Sequence, residues 1–303
     1  MSSVRPRLAL VGPLPPVRSG TADYARDLIP HLESTFETEL FVDERHPLLA
    51  AERYLSCRVR SAHELADRFA DFGHVVYQLG NNVHHRFVLD LARKLPAVVV
   101  LHEVVLHHLY EEVVTREDEW EAYAAALHES YGDAGDAVVQ WKRWKLAFGR
   151  EHFVLPLFES VVAASRGAIV HNRAAELAVL RRLPRSPVRR VPMGIPAEPP
   201  ADARDARRRL GIADDKVIVG VFGLLTRLKR LDALAAAFRV ARRERPELGL
   251  VLVGELGSDV RLEETFTSEE LERGLVAWRG YVAAAEYRDW MAATDIAVNL
   301  RYP

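Results

Sequence analysis

With one cysteine, Cys57, the 303-residue chain cannot form an internal disulfide, and that scarcity fits a reducing compartment. Hydrophobic runs are short as well. None approaches the ~20 residues a membrane span needs, and the first residues do not lead into a signal-peptide core. The cytoplasm is therefore the expected place of work. Net charge is also nearly absent: 41 Lys+Arg against 43 Asp+Glu leave a formal charge of −2, which argues against a dedicated nucleic-acid binder. Nor does the chain contain an Asp-X-Asp triplet, a common holder of metal ions, or the Gly-x-Gly-x-x-Gly turn of dinucleotide oxidoreductases. What is present, 49% hydrophobic and 28% charged residues, suits a globular protein of two domains.

The most informative stretch is VIVGVFGLLTRLKRLDALAAAF, residues 217–238. Its β-branched and aromatic opening reads as a parallel strand covered on both faces. Gly223 then permits a sharp turn. Leu231, Leu234, Ala235 and Phe238 recur at helical spacing, so a helix begins at Lys229 or just after it. A cation there is electrostatically out of place until an anion joins it, because a helix N-terminus is itself partly positive. An ordinary strand-to-helix turn with a solvated lysine is the competing reading.

Strand candidates alternate with helical segments, the signature of α/β architecture. Strands are expected at residues 8–11, 39–42, 75–79, 97–101, 168–170 and 188–191, then at 217–222, 250–253, 276–278 and 296–300. Helices are expected at 22–32, 62–72, 84–94, 174–182, 231–243 and 284–293. A helix-rich insertion at 103–162 carries Trp120, Trp141 and Trp144, read as packing anchors. Residues 191–205, VPMGIPAEPPADARD, hold four prolines and a glycine and read as a linker. Two Rossmann-like domains are expected, residues 1–195 and an incomplete second at 196–303, with ligands in the crevice between them. The arginine-rich runs at 204–209 and 239–245 read as solvated helix faces, with a phosphate or lipid-headgroup patch as the alternative.

Four passages in order resemble GT-B glycosyltransferases, and more closely the family-4 retaining enzymes that use nucleotide-diphosphate sugars. They are GPLPPVRSGTADYARDL at 12–28, VLHEVVLHH at 100–108, VRRVPMGIP at 188–196, and the stretch from VFGLLTRLKRLDALAAAF through LVLVG to VAWRGYVAAAEYRDWMAATDIAVN. The resemblance implies a retaining sugar transfer to an acceptor hydroxyl, without metal or cofactor. It places Gly223, Arg227, Lys229 and Gly20 at the donor diphosphate and Gly280, Tyr281 and Val282 beside the base. His102 is the implied catalytic residue. Gly12, Ser19 and Glu103 belong to the acceptor-side loop region, with Glu103 a candidate to orient His102. Glu286 and Asp295 match structural positions, and Arg301 is a weaker candidate for a phosphate contact. The partners implied are a nucleotide-diphosphate sugar and an acceptor of unknown kind (a glycan, a lipid-linked or a small molecule), with no nucleic acid and with peripheral membrane contact left open.

Departures qualify the expectation. Leu224 stands where many relatives carry arginine, leaving Arg227 as the substitute. The family's donor-sugar glutamate pair lies beyond the strand at 296–300, and this sequence ends at Pro303 before it, which reads as an N-terminal fragment inactive on its own. Alternatives are therefore a non-catalytic nucleotide-binding or interaction module and a GT-B nucleotide-sugar epimerase. His84, His85, His107 and His108 match no metal-ligand spacing, so no metal site is expected.

Overall fold

The computed structural model describes residues 5–117, 120–146, 151–194 and 201–300. The chain divides into two compact units, Met1–Pro196 and Ala197–Pro303. Residues 195–200 of the proline-rich stretch lie outside the described ones.

The first unit holds β1 (Arg7–Val11), β2 (Glu37–Val42), β3 (Arg53–Tyr54), β4 (Cys57–Ser61), β5 (His74–Leu79), β6 (Val98–Leu101), β7 (Gly167–Val170) and β8 (Val188–Arg190). They form one sheet in the order β3-β4-β2-β1-β5-β6-β7-β8. Only β3 runs antiparallel to its neighbour. Alternate side chains of β1 feed two cores, as a doubly covered parallel sheet requires. Ala9 and Val11 pack with Tyr77, Leu79, Val99 and Leu101, while Leu10 packs with Ile29, Leu40 and Val42. Chain order reverses direction between β1 and β5, so the unit's topological switch point lies there.

β3 and β4 escape the sequence reading. In β4 only Cys57 and Val59 are buried, interleaved with arginines, so no apolar run marks it. Arg60 faces Glu39 of β2, which is 6% exposed and also meets Arg7 and Arg68, at 2.6, 2.7 and 2.8 Å respectively. Burial raises the Glu39 pKa, but the hydrogen bonds from Arg68, Arg60 and Arg7 outweigh it and hold the carboxyl at about 2. The helix expected over 62–72 is broken into short turns at Ala62–Glu64, Leu65–Arg68 and Phe69–Asp71. Within the insertion, Trp120 packs against the core, whereas Trp141 and Trp144 are 50% and 65% exposed. The last two are not packing anchors.

The second unit has β9 (Val217–Phe222), β10 (Leu248–Val253), β11 (Val276–Trp278) and β12 (Ile296–Ala297), all parallel, in the order β11-β10-β9-β12. Helix Leu231–Glu244 covers one face through Leu231, Leu234, Ala235 and Phe238, and Trp290 covers the other. β12 is shorter than expected, pairing only Ile296 and Ala297 with β9. The switch point of this sheet falls between β9 and β12.

Candidate functional site

In the first unit the register aligns the carboxyl ends of four strands. Val11 pairs with Tyr77, Leu79 with Leu101, and Leu101 with Val170. One step further on each strand therefore brings Gly12 beside Gln78, and His102 beside His171. A Cβ on Gly12 would stand 2.8 Å from that of Gln78, so glycine is needed at this junction. The loop that follows is anchored by buried Leu14, whose carbonyl accepts from His46 Nε2 at 2.9 Å. It ends at Ser19, whose Oγ accepts from Ala22 N at 3.1 Å and caps helix Gly20–Glu33. No atom lies within 4 Å of the position a Cβ on Gly20 would take, so the helix N-terminus opens onto free space.

His102 Nε2 lies 2.6 Å from Oε1 of Gln78, which is 1% exposed. A carbonyl oxygen only accepts, so the imidazole donates from Nε2 and keeps a lone pair on Nδ1. His171 has its Nδ1 at 3.0 Å from the Val191 carbonyl and so donates there, and its Nε2 is buried with no hydrogen-bond partner among the described residues. The two rings are 5.0 Å apart, and Tyr24 packs edge-on against both, at 5.2 and 5.7 Å. Burial, then the neighbouring His171 and His85, depress His102 to about 3. His85 donates to the Gln78 carbonyl at 2.9 Å, and burial lowers it to about 4.

Some expectations are corrected. Glu103 is exposed and makes no bond to His102; Gln78 holds the orienting place. His107 is a core residue, bonded to the Leu155 carbonyl and the Tyr123 hydroxyl, each at 2.7 Å. His108, Glu111 and His152 offer ligand atoms within 4.8 Å of one another, an arrangement the sequence spacing does not announce. However, the Lys142 ammonium already bonds Glu111 and lies 2.6 Å from Glu151 and 3.4 Å from His152 Nε2. A protein cation thus fills the place a metal would take, and the cluster works as an ion-pair clasp. Tyr24, Gln78 and His171 were missed by sequence reasoning. A polar Gln inside the apolar run of β5 and a second strand-end histidine were the available signals.

In the second unit Gly223 has φ +89° and ends β9. Gly254, with φ +145°, ends β10 so close beside it that a Cβ would sit 2.0 Å from the Gly223 carbonyl oxygen. The indole of Trp278 donates to the Gly254 carbonyl at 2.8 Å. Lys229 sits in the short turn Arg227–Lys229, and helix Leu231–Glu244 begins after Arg230 with no side chain capping its first turn. The Lys229 ammonium donates to the Phe222 carbonyl at 3.1 Å and to Asn299 Oδ1 at 2.8 Å. These oxygens follow β9 and β12, so the cation bridges the switch point. The Arg227 backbone is held by Asp259 at 3.1 Å while its side chain is exposed.

Gly280 has φ +62°, Tyr281 is exposed, and Val282 packs on the Ile218–Trp290 cluster. Glu286 accepts from Trp290 and Asp295 accepts from the Ile218 amide, at 3.2 and 2.7 Å, which are structural tasks. Arg301 lies outside the described residues. The arginine runs are engaged with carboxylates: Arg207 with Asp295, Arg209 with Asp289, and Arg239 with Glu270. Among the described residues no helix is long and apolar enough to cross a membrane.

Two α/β sheets of this topology, each with polar groups at its switch point, have close structural counterparts. Over 97% of its length the chain matches sucrose-phosphate synthase from Thermosynechococcus elongatus, at 15% identity and a TM-score of 0.62, covering 75% of that chain. It matches Anabaena HepE in complex with UDP at 15% identity and a TM-score of 0.60, covering 98% of this chain and 74% of that one. The chain has the GT-B fold. By sequence, this GT-B chain is 37% identical over 113 residues to a D-inositol 3-phosphate glycosyltransferase of Stackebrandtia nassauensis. That match spans 34% of this chain and 26% of the curated relative. No family model matches.

Proposed function

We propose that the chain serves a retaining, metal-independent transfer of a sugar from a nucleotide-diphosphate donor to an acceptor hydroxyl. The observation that carries the reading is Lys229, a cation bridging the carboxyl ends of β9 and β12 beside an uncapped helix N-terminus. That is where a parallel sheet binds ligands, and a diphosphate leaving group needs such stabilisation. The UDP complex of the similarly folded HepE supports a uridine nucleotide as the first donor to try. The absence of an Asp-X-Asp triplet supports metal independence, and retention rests on the family-4 resemblance.

The first unit handles hydroxyls. His102 Nδ1 is a lone pair on a ring that burial holds neutral, suited to accept a hydrogen bond from a sugar or acceptor hydroxyl, with the His171 ring 5.0 Å away. Gln78 fixes the His102 tautomer and orientation. The Gly20 amide end adds partial positive charge for a phosphate or an electron-rich oxygen. In the second unit Gly280 and Val282 form the turn that receives the base, and Tyr281 offers an exposed ring.

Calorimetric titration of the chain with UDP and with uridine tests the reading. Lys229→Ala removes a charge-assisted contact, for which ~1.5–3 kcal/mol corresponds to roughly 10- to 150-fold weaker UDP binding. Uridine binding is expected to stay within twofold. Equal weakening of both ligands, or of neither, would refute the placement of the diphosphate. Sugar transfer that persists in EDTA would carry the metal-independent part.

A further inference from the structure

β11 closes one edge of the second sheet, and among the described residues no strand flanks its outer side. Its pairing with β10 runs through alternate residues. Leu250 N donates to the Leu275 carbonyl and Arg279 N to the Leu252 carbonyl, each at 2.9 Å, and Ala277 lies between them in the same phase. Main-chain groups alternate sides along a strand, so the N–H and C=O of Val276 and Trp278 point away from β10. Among the described residues these four groups have no hydrogen-bond partner. The side chains of the same two residues share one face of the sheet. There they line a hollow of about 410 Å³ with Leu262, Glu263 and Leu271, which come from the turn Leu262–Glu264 and the helix Ser268–Glu272. Leu262 and Val276 are buried and Leu271 partly so, while Trp278 is 46% exposed. An apolar hollow thus lies directly beside an unpaired strand edge.

We propose that an extended, basic peptide segment adds to this edge as a further strand. Pairing with the main chain of Val276 and Trp278 supplies attachment, and an apolar side chain entering the hollow supplies selectivity. β11 carries no lysine, proline or glycine of the kind that blunts an exposed edge. The charge of the rim selects the occupant. Glu263, Glu264 and Glu272 are exposed and form no ion pair among the described residues. Of the nearby cations, Arg273 is held by Glu269 at 2.6 Å, and Arg279 lies over the Trp290 ring at 5.0 Å on the opposite face of the sheet. Arg261 alone remains to offset the three acids. A second copy paired edge to edge would set those acids against one another. A segment with arginine or lysine two residues to either side of an apolar residue meets them instead, because residues two apart along a strand share a face.

Fluorescence anisotropy with the labelled heptapeptide TRTLTRT tests this, since leucine and both arginines of that probe fall on one face. The acidic twin TETLTET is expected to bind at least about tenfold more weakly. So is the parent peptide to the double variant Glu263→Lys, Glu264→Lys, whose thermal transition should match that of the unaltered chain because only exposed charge changes. Two versions of the peptide, N-methylated at alternate amides in opposite phases, keep the test independent of any variant. Only every second amide of an added strand faces β11, so one phase should lose about tenfold or more while the other stays within roughly threefold. Hydrogen exchange across residues 276–278 should slow on binding. Equal binding of the basic and acidic peptides, equal behaviour of the two methylated phases, or no binding at about 1 mM peptide would overturn the proposal. So would a dimer in light scattering whose formation protects residues 276–278, which would assign the edge to a second copy. No nucleotide enters these measurements, so their failure leaves the transfer reading standing.

Discussion

Lowering the pH from 7 to 5 should destabilise the first unit steeply, because three of its histidines are buried in the neutral state. Burial is the main cause for each. It takes His102 from the ordinary 6.5 to about 3, and His85 and His107 to about 4. Their folded pKa values lie below the unfolded one, so as pH falls through 6.5 the unfolded chain binds protons that the folded chain refuses. Each unshared proton is worth about 1.4 kcal/mol per pH unit, which between pH 7 and 5 amounts to roughly 2 kcal/mol per histidine. Together the three withdraw on the order of 5–6 kcal/mol, a large part of the ~5–15 kcal/mol that holds a typical domain. Carboxylates do not share in this window. Glu39, Glu111 and Glu270 are each held at about 2, so their contribution begins to fall only below the ordinary 4.5. The assay is urea unfolding followed by circular dichroism at pH 7, 6 and 5, with the histidine Cε1 resonances followed by NMR in the folded protein. Flat stability across this range, or a His102 resonance titrating near 6.5, would refute the buried neutral cluster.

Two further outcomes follow from single positions. Gly254→Ala forces a Cβ to within 2.0 Å of the Gly223 carbonyl oxygen at φ +145°, and that backbone region alone costs ~1–3 kcal/mol for any other residue. A lower melting temperature together with weakened UDP binding is expected, and unchanged values of both would show that the two glycine turns do not support each other. Glu39→Gln leaves Arg7, Arg60 and Arg68 around a neutral amide, a loss on the order of 3 kcal/mol in urea unfolding at pH 7 that should shrink as pH falls below 4.5 towards 2. A cost that does not change with pH would show that packing, and not charge, dominates there.

The strands that position chemistry were legible because they are buried on both faces and therefore read as apolar runs. β9 keeps the bounds read from its sequence, and β5, β6, β7 and β10 differ by one or two residues. β4 was illegible for the opposite physical reason, since it is held in part by the Arg60–Glu39 pair and shows only two buried side chains. The tryptophans of the insertion misled in another way. Residue type argues for burial, but helix phase decides it, and Val138 and Val139 take the inward side that Trp141 and Trp144 are denied. Gln78 and His171 were hidden because register is a long-range property. Nothing local to Gln78 says that His102, twenty-four residues away, ends the adjacent strand.

Register also explains why the sparse signals in the two halves are of one kind. In each sheet the chain turns back beside its first strand, and the loops leaving that strand and its new neighbour must diverge to opposite faces. The divergence opens a gap at the carboxyl edge that no main chain fills. In the first unit the gap lies at Gly12 and Gln78, and the side chain drawn to it is His102, which burial holds neutral, with His171 beside it. In the second it lies between Phe222 and Asn299, and the side chain drawn to it is the cation Lys229. One architecture thus supplies two gaps with opposite chemistry: a lone pair suited to a hydroxyl donor, and an ammonium with helix amides suited to an anion. A methyl group at 12 would stand 2.8 Å from the Gln78 side chain and one at 254 would stand 2.0 Å from the Gly223 carbonyl oxygen, so glycine is needed at both junctions.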